Sequence, residues 1–153
     1  MEKKINDIKG NTIGRIIVPV DESGDMEKIV EKAFLLAKEI KRSVVALYVV
    51  DTPRLTEVIP PDETAVAWES ILTTEGQKIL DKIEKKGKKM GIQVVKKVVE
   101  GIPDNEIIKE AKKHDLIVMG CRSSGIFDRL LTSNVCEKIL EHSSSSVMTY
   151  QIK

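Results

Sequence analysis

Ile16-Ile17-Val18-Pro19-Val20 runs into the polar turn Asp21-Glu22-Ser23-Gly24-Asp25, and further along Leu116-Ile117-Val118-Met119 runs into Gly120-Cys121-Arg122-Ser123-Ser124-Gly125. Both apolar runs are short and unbroken by polar residues, as strands buried on both faces are. Behind each turn the period becomes helical. Met26, Ile29, Val30, Ala33, Phe34, Ala37 and Ile40 recur at intervals of three and four after the first turn, where Ser23 or Asp25 is placed to cap a helix. After the second, Leu130, Leu131, Val135, Ile139 and Leu140 keep core spacing in a helix expected over residues 127–141. The first strand is expected over residues 13–20, with Pro19 near its end as suits a strand terminus.

Working outward, residues 44–50 form a second β-branched run closed by Asp51, residues 92–99 a third, and residues 147–152 a last. Lys96 and Lys97 within the third mark it as a sheet margin. Trp68, Ile71, Leu72, Ile79, Leu80 and Ile83 predict a long helix over residues 64–90, ended by Gly91. Its lysines alternate with Glu75, Asp81 and Glu84 and read as a solvated face. Residues 51–63 hold Pro53, Pro60 and Pro61 without a sustained period and read as a long loop. Residues 104–113 form a short helix with Ile107, Ile108 and Ala111 inward.

Strands therefore alternate with helices, which predicts an α/β fold with a five-stranded parallel sheet and helices on both faces. A strand order of 3-2-1-4-5 puts the reversal of winding between the first and fourth strands. Ligands of such sheets sit there, beyond the carboxyl ends. The turns at residues 21–25 and 120–125 thus become the candidate site.

Composition narrows the function. The 153 residues are 41% hydrophobic and 32% charged, with a net charge of +1 and 3% aromatics. They divide into a polar N-terminal extension, residues 1–12, and one domain, residues 13–153, with an aliphatic core. A balanced charge gives no field for a polyanion or an anionic membrane, and scattered aromatics offer no stacking platform, so neither nucleic acid nor membrane is an expected partner. The Met-Glu-Lys-Lys start has no apolar signal core, and a cytoplasmic setting follows, with Cys121 and Cys136 expected as reduced thiols. Two Cys and two His at unrelated spacings make no metal pattern.

The turn after the fourth strand offers backbone amides, small side chains and the Arg122 guanidinium, a combination suited to a phosphate. It is no P-loop, because no Gly-Lys-Ser/Thr closes it. A phosphatase-type cysteine needs an arginine six positions on, where Phe127 stands. A thiolate at a helix start keeps open a minor reading of Cys121 as a redox sensor. A phosphoacceptor receiver fails at its centre, since Glu100 occupies the end of the third strand and Gly120 that of the fourth. His114 and His142 fall at the amino ends of strands, away from the turns, so no catalytic residue is assigned.

Ile-Ile-Val-Pro-Val-Asp at 16–21, Ala-Leu-Tyr-Val-Val-Asp at 46–51, Gly-Ile-Pro at 101–103, Asp-Leu-Ile-Val-Met-Gly at 115–120 and Leu-Leu-Thr-Ser-Asn-Val-Cys-Glu-Lys-Ile-Leu before the last strand resemble the universal stress protein family. The resemblance spans residues 13–152 and implies a five-stranded α/β sandwich that dimerises, here through residues 147–152. Its ATP-binding members carry Gly, two residues, Gly, nine residues, then Gly and Ser or Thr. Laid on this chain, that motif falls on Gly120, Ser123, Ser133 and Asn134, so one of three glycines survives. On the adenosine side the resemblance assigns Asp21 to the ribose and the Val49 backbone to adenine, with Pro19, Val20, Met119 and Val135 as neighbouring cleft positions. It thus implies a non-enzymatic stress-response or regulatory protein with a degraded nucleotide cleft and no cofactor held tightly. The alternative is an ATP- or AMP-binding sensor or slow ATPase. The protein partner is unknown.

Overall fold

The computed structural model describes residues 12–59, 62–122 and 133–152. Its elements follow the chain as β1 (Ile16–Val20), α1 (Met26–Ile40), β2 (Val44–Val50), α2 (Thr52–Val58), α3 (Glu63–Lys89), β3 (Val94–Glu100), α4 (Pro103–Glu110), β4 (Leu116–Arg122), α5 (Ser133–His142) and β5 (Ser146–Ile152). The strands form one five-stranded sheet of order β3-β2-β1-β4-β5, and all its pairings are parallel. The expected order of 3-2-1-4-5 is the one found.

Alternation along the strands builds a core on each face. Ile16, Val18, Val20, Val44, Ala46, Tyr48 and Val50 pack with α1 and α3, around a Phe34 ring that is wholly buried. Ile17, Val45, Leu47, Val49, Ile117 and Met119 pack on the other face with α4 and α5. The β1 and β2 residues are buried throughout, which is why their sequences show no polar alternation. β3 is the margin its lysines announced. Lys96 reaches Asp81 at 2.8 Å and Glu84 at 3.1 Å, and Lys97 reaches Glu110 at 2.9 Å.

The sequence expectations fail in several places, the start of β3 at Val94 and not at Ile92 among them. Residues 13–15 are not strand, because Gly14 donates to the His114 carbonyl and Arg15 to the Asp115 carboxylate in place of a ladder. Asp25 occupies the N-cap of α1 without a side-chain bond, and the Met26 amide turns instead to the Ser23 carbonyl. The expected loop after β2 contains helix α2, capped by the Asp51 carboxylate on the Arg54 amide with Pro53 in its first turn. Helix α4 stops at Glu110, three residues short, where Ala111 becomes extended. β4 does not turn at Gly120. It continues through Arg122, since β5 supplies Tyr150, Gln151 and Ile152 as ladder partners for Gly120, Cys121 and Arg122. The start of the last helix, expected at Phe127, lies outside the described residues, and α5 is described from Ser133.

Candidate functional site

β1 lies between β2 and β4, and the winding reverses there. β1 and β4 are laddered through Ile16↔Leu116 and Ile17↔Ile117, at their amino ends. On the other side β1 keeps register with β2 to Val20↔Tyr48. Asp21 directly follows that last pair on β1, and Val49 follows it on β2, inside the strand and one residue before its end.

Asp21 is 6% exposed. Its Oδ1 accepts from the Ser23 amide at 2.8 Å, and its own amide meets the Met26 sulfur at 3.4 Å. The carboxylate is therefore held by the turn it caps. Pro19 and Val20 are buried in β1, Val49 and Met119 lie in the α4/α5 face of the sheet, and Gly120 is buried in β4. Val135 packs against the same cluster from α5. Of the phosphate-side candidates, Arg122 closes β4, and Ser133 and Asn134 open the described part of α5. Ser123 lies outside the described residues.

Cys121 and Cys136 are joined by a disulfide, with their Cα atoms 6.0 Å apart. The expectation of reduced thiols is corrected, and so is the picture of Cys121 as a lone reactive thiol. The extension of β4 carries Cys121 over α5, where Cys136, the helix's fourth described residue, faces inward at 3% exposure. Spacing offered no signal for this pairing, because it depends on how far β4 runs before it leaves the sheet.

The opposite face of the same end holds features that pattern reading passed over. Tyr48 donates to the Glu22 carboxylate. Burial first, and then that acceptor, push the Tyr48 hydroxyl's pKa well above its usual value. Beside the pair lies a cavity of about 680 Å³ between α2, α3 and β2, walled by Val50, Leu55, Val58, Trp68 and Leu72. Trp68 is 45% exposed and Val58 77%.

Both histidines are exposed, His114 just ahead of β4 and His142 at the end of α5, where it lies 3.7 Å from Glu141. Among the described residues no group of three or more His, Cys, Asp or Glu is placed to hold a metal ion. No helix among them is long and apolar enough to cross a membrane.

A parallel sheet wound in both directions from β1, with a buried acid just past that strand, is a doubly wound α/β fold. The chain belongs to the universal stress protein family, whose model matches residues 12–151. It is 31% identical over 140 residues to universal stress protein MJ0531 of Methanocaldococcus jannaschii, covering 90% of this chain and 82% of that one. Among solved structures it resembles protein MJ0577 of the same organism, with a TM-score of 0.72 and 26% identity, covering 93% of this chain and 99% of that one. It shares the fold of the universal stress protein from Archaeoglobus fulgidus solved in complex with dAMP, with a TM-score of 0.63 and 17% identity, covering 89% of this chain and 96% of that one.

Proposed function

We propose that this is a non-enzymatic cytoplasmic stress-response regulator whose switch-point cleft takes ATP or AMP weakly. The observation that carries the reading is Asp21, buried, fixed through Oδ1 by the Ser23 amide and directly past the last ladder pair of β1 and β2, Val20↔Tyr48. A carboxylate held in one orientation is ready to accept from a ribose hydroxyl, and a strand-end backbone beside it is ready to meet an adenine edge. That a protein with this fold was solved in complex with dAMP supports an adenine nucleotide as the class of ligand. Weak affinity follows from the phosphate side, where Ser123, Ser133 and Asn134 stand at motif positions that small-residue backbone contact would favour. The histidines' surface positions away from the cleft support a binding role over a hydrolytic one.

The cleft is tested by thermal shift with ATP and magnesium, and with AMP. At tenfold excess over the dissociation constant, binding adds about 1.4 kcal/mol, or roughly 3–5 °C. Asp21→Ala is expected to remove that shift. No shift at several millimolar nucleotide refutes the cleft, and phosphate release above the blank refutes the non-enzymatic role.

The same reading makes the protein a homodimer through β5, the strand at the margin opposite β3. An unpaired margin strand offers a row of backbone donors and acceptors to a second copy. A particle of 17.1 kDa by light scattering at micromolar concentration counts against it.

A further inference from the structure

We propose that Cys121 and Cys136 are a reversible dithiol–disulfide pair that exchanges with low-molecular-weight thiols and disulfides, and that its state sets the nucleotide affinity of the cleft. The proposal rests on the nucleotide reading above for its second half and on the disulfide itself for its first. Cys121 directly follows Gly120 and precedes Arg122 in β4, while Cys136 directly follows Val135 and lies two residues past Asn134 in α5. The bond therefore joins the two chain segments that carry the phosphate-side candidates.

The two sulfurs are unequal. Cys136 belongs to the buried cluster with Ile117, Met119 and Ile139, whereas Cys121 packs at that cluster's partly buried margin. An incoming thiolate meets the Cys121 sulfur first, so the Cys121–Cys136 bond breaks and Cys136 leaves as the thiolate. A second thiolate attacks the incoming sulfur of the mixed disulfide, releases Cys121 and departs as the small disulfide. Two electrons enter the protein, and both thiolates take protons from solvent. Oxidation by a low-molecular-weight disulfide runs the same steps backwards.

Reduction does not leave Cys136 without a partner. Its sulfur lies 3.6 Å from the Gly120 carbonyl oxygen, a bare contact in the disulfide and a weak S–H donor's reach in the thiol. Each oxidation state thus has its own satisfied arrangement, and the two differ at the one motif glycine that survives. In the oxidised form β4 and α5 are already tied together, so a nucleotide that touches both has less chain to order. The oxidised protein is the tighter binder, and by linkage bound nucleotide favours the disulfide by the same factor.

The test titrates ATP and magnesium by calorimetry into the protein equilibrated with oxidised glutathione or with a phosphine reductant. Affinity is expected to fall about five- to tenfold on reduction. Cys121→Ser and Cys136→Ser are each expected to bind like the reduced protein in either buffer. Alkylation followed by mass analysis should count no free thiol in the oxidised sample and two in the reduced one. Equal affinity in both states overturns the coupling and leaves the nucleotide reading standing. Binding in neither state removes that reading and the coupling with it. Two alkylated cysteines after equilibration with oxidised glutathione overturn the pair outright.

Discussion

The two ends of the sheet are made from the same buried strands and are finished in opposite ways. At the amino end the charges close on one another. Asp115, its side chain 5% exposed, accepts from the Arg15 amide at 3.0 Å, from Arg15 Nη2 at 2.7 Å and from the Lys112 amide at 2.8 Å. Arg15 also reaches Glu110, which holds Lys97. At the carboxyl end the strands lead to a cavity and a disulfide, and the buried Asp21 is satisfied by the turn that follows it. Ion pairing at one end locks β1 to β4 at their start, where their ladder pairs lie. The division of labour is between an end that holds and an end that receives.

Breaking the amino end is expected to cost most. Asp115→Ala takes away one of the two acidic partners of Arg15 and leaves two amides without their acceptor, and should lower stability by about 3–4 kcal/mol, read as a fall in the urea midpoint. A loss under about 1 kcal/mol would mean that this end does not hold the sheet. The pH dependence sharpens the point. Burial pushes the Asp115 carboxyl's pKa up, but the Arg15 side-chain bond, the backbone amides and the Arg15 charge outweigh it and hold the value below its usual 3.8. A depressed folded value means the stabilisation is complete above 3.8 and is lost as pH falls through the lower folded value. Asp115→Asn should therefore show a flatter acid limb than the parent.

At the carboxyl end, reducing the disulfide is expected to cost about 3 kcal/mol, the chain-entropy value for a closed loop of this size. If the melting temperature is unchanged by reductant, the bond does not stabilise the receiving end. The smallest of the three effects lies beneath the cavity. A Cβ placed on Gly76 of α3 would collide with Tyr48 Cδ1, in a ring that is buried and anchored to Glu22. Gly76→Ala sets an overpacking cost against the gain in helix propensity, for a net loss of about 1–2 kcal/mol in denaturant unfolding. A gain in stability would show that α3 can move off the sheet.

Much of the fold was legible because buried strands and one-sided helices leave strong periods. β2 begins and ends where its β-branched run does, and α1 spans its predicted face from Met26 to Ile40. α2 escaped because it buries none of its residues and so has no apolar stripe to detect, although Asp51 and Pro53 carried the start signals. The true end of β4 escaped for a different reason: small residues look like a turn until a neighbouring strand offers them partners. In the candidate site, Asp21 and Val49 were legible as strand-end positions. The Cys121–Cys136 bond and the Glu22–Tyr48 pair were not, since each joins residues whose meeting depends on tertiary packing.

Trp68 has one more use. It is the sole tryptophan, and it stands half-exposed in the wall of the cavity that Val49, the adenine-side candidate, also lines. Indole emission from this protein is therefore a single-site signal from that cavity. The disulfide packs with the α4/α5 cluster, so a spectral change on reduction would be a message that had crossed the sheet, whereas a change on nucleotide addition would report on the cavity wall itself.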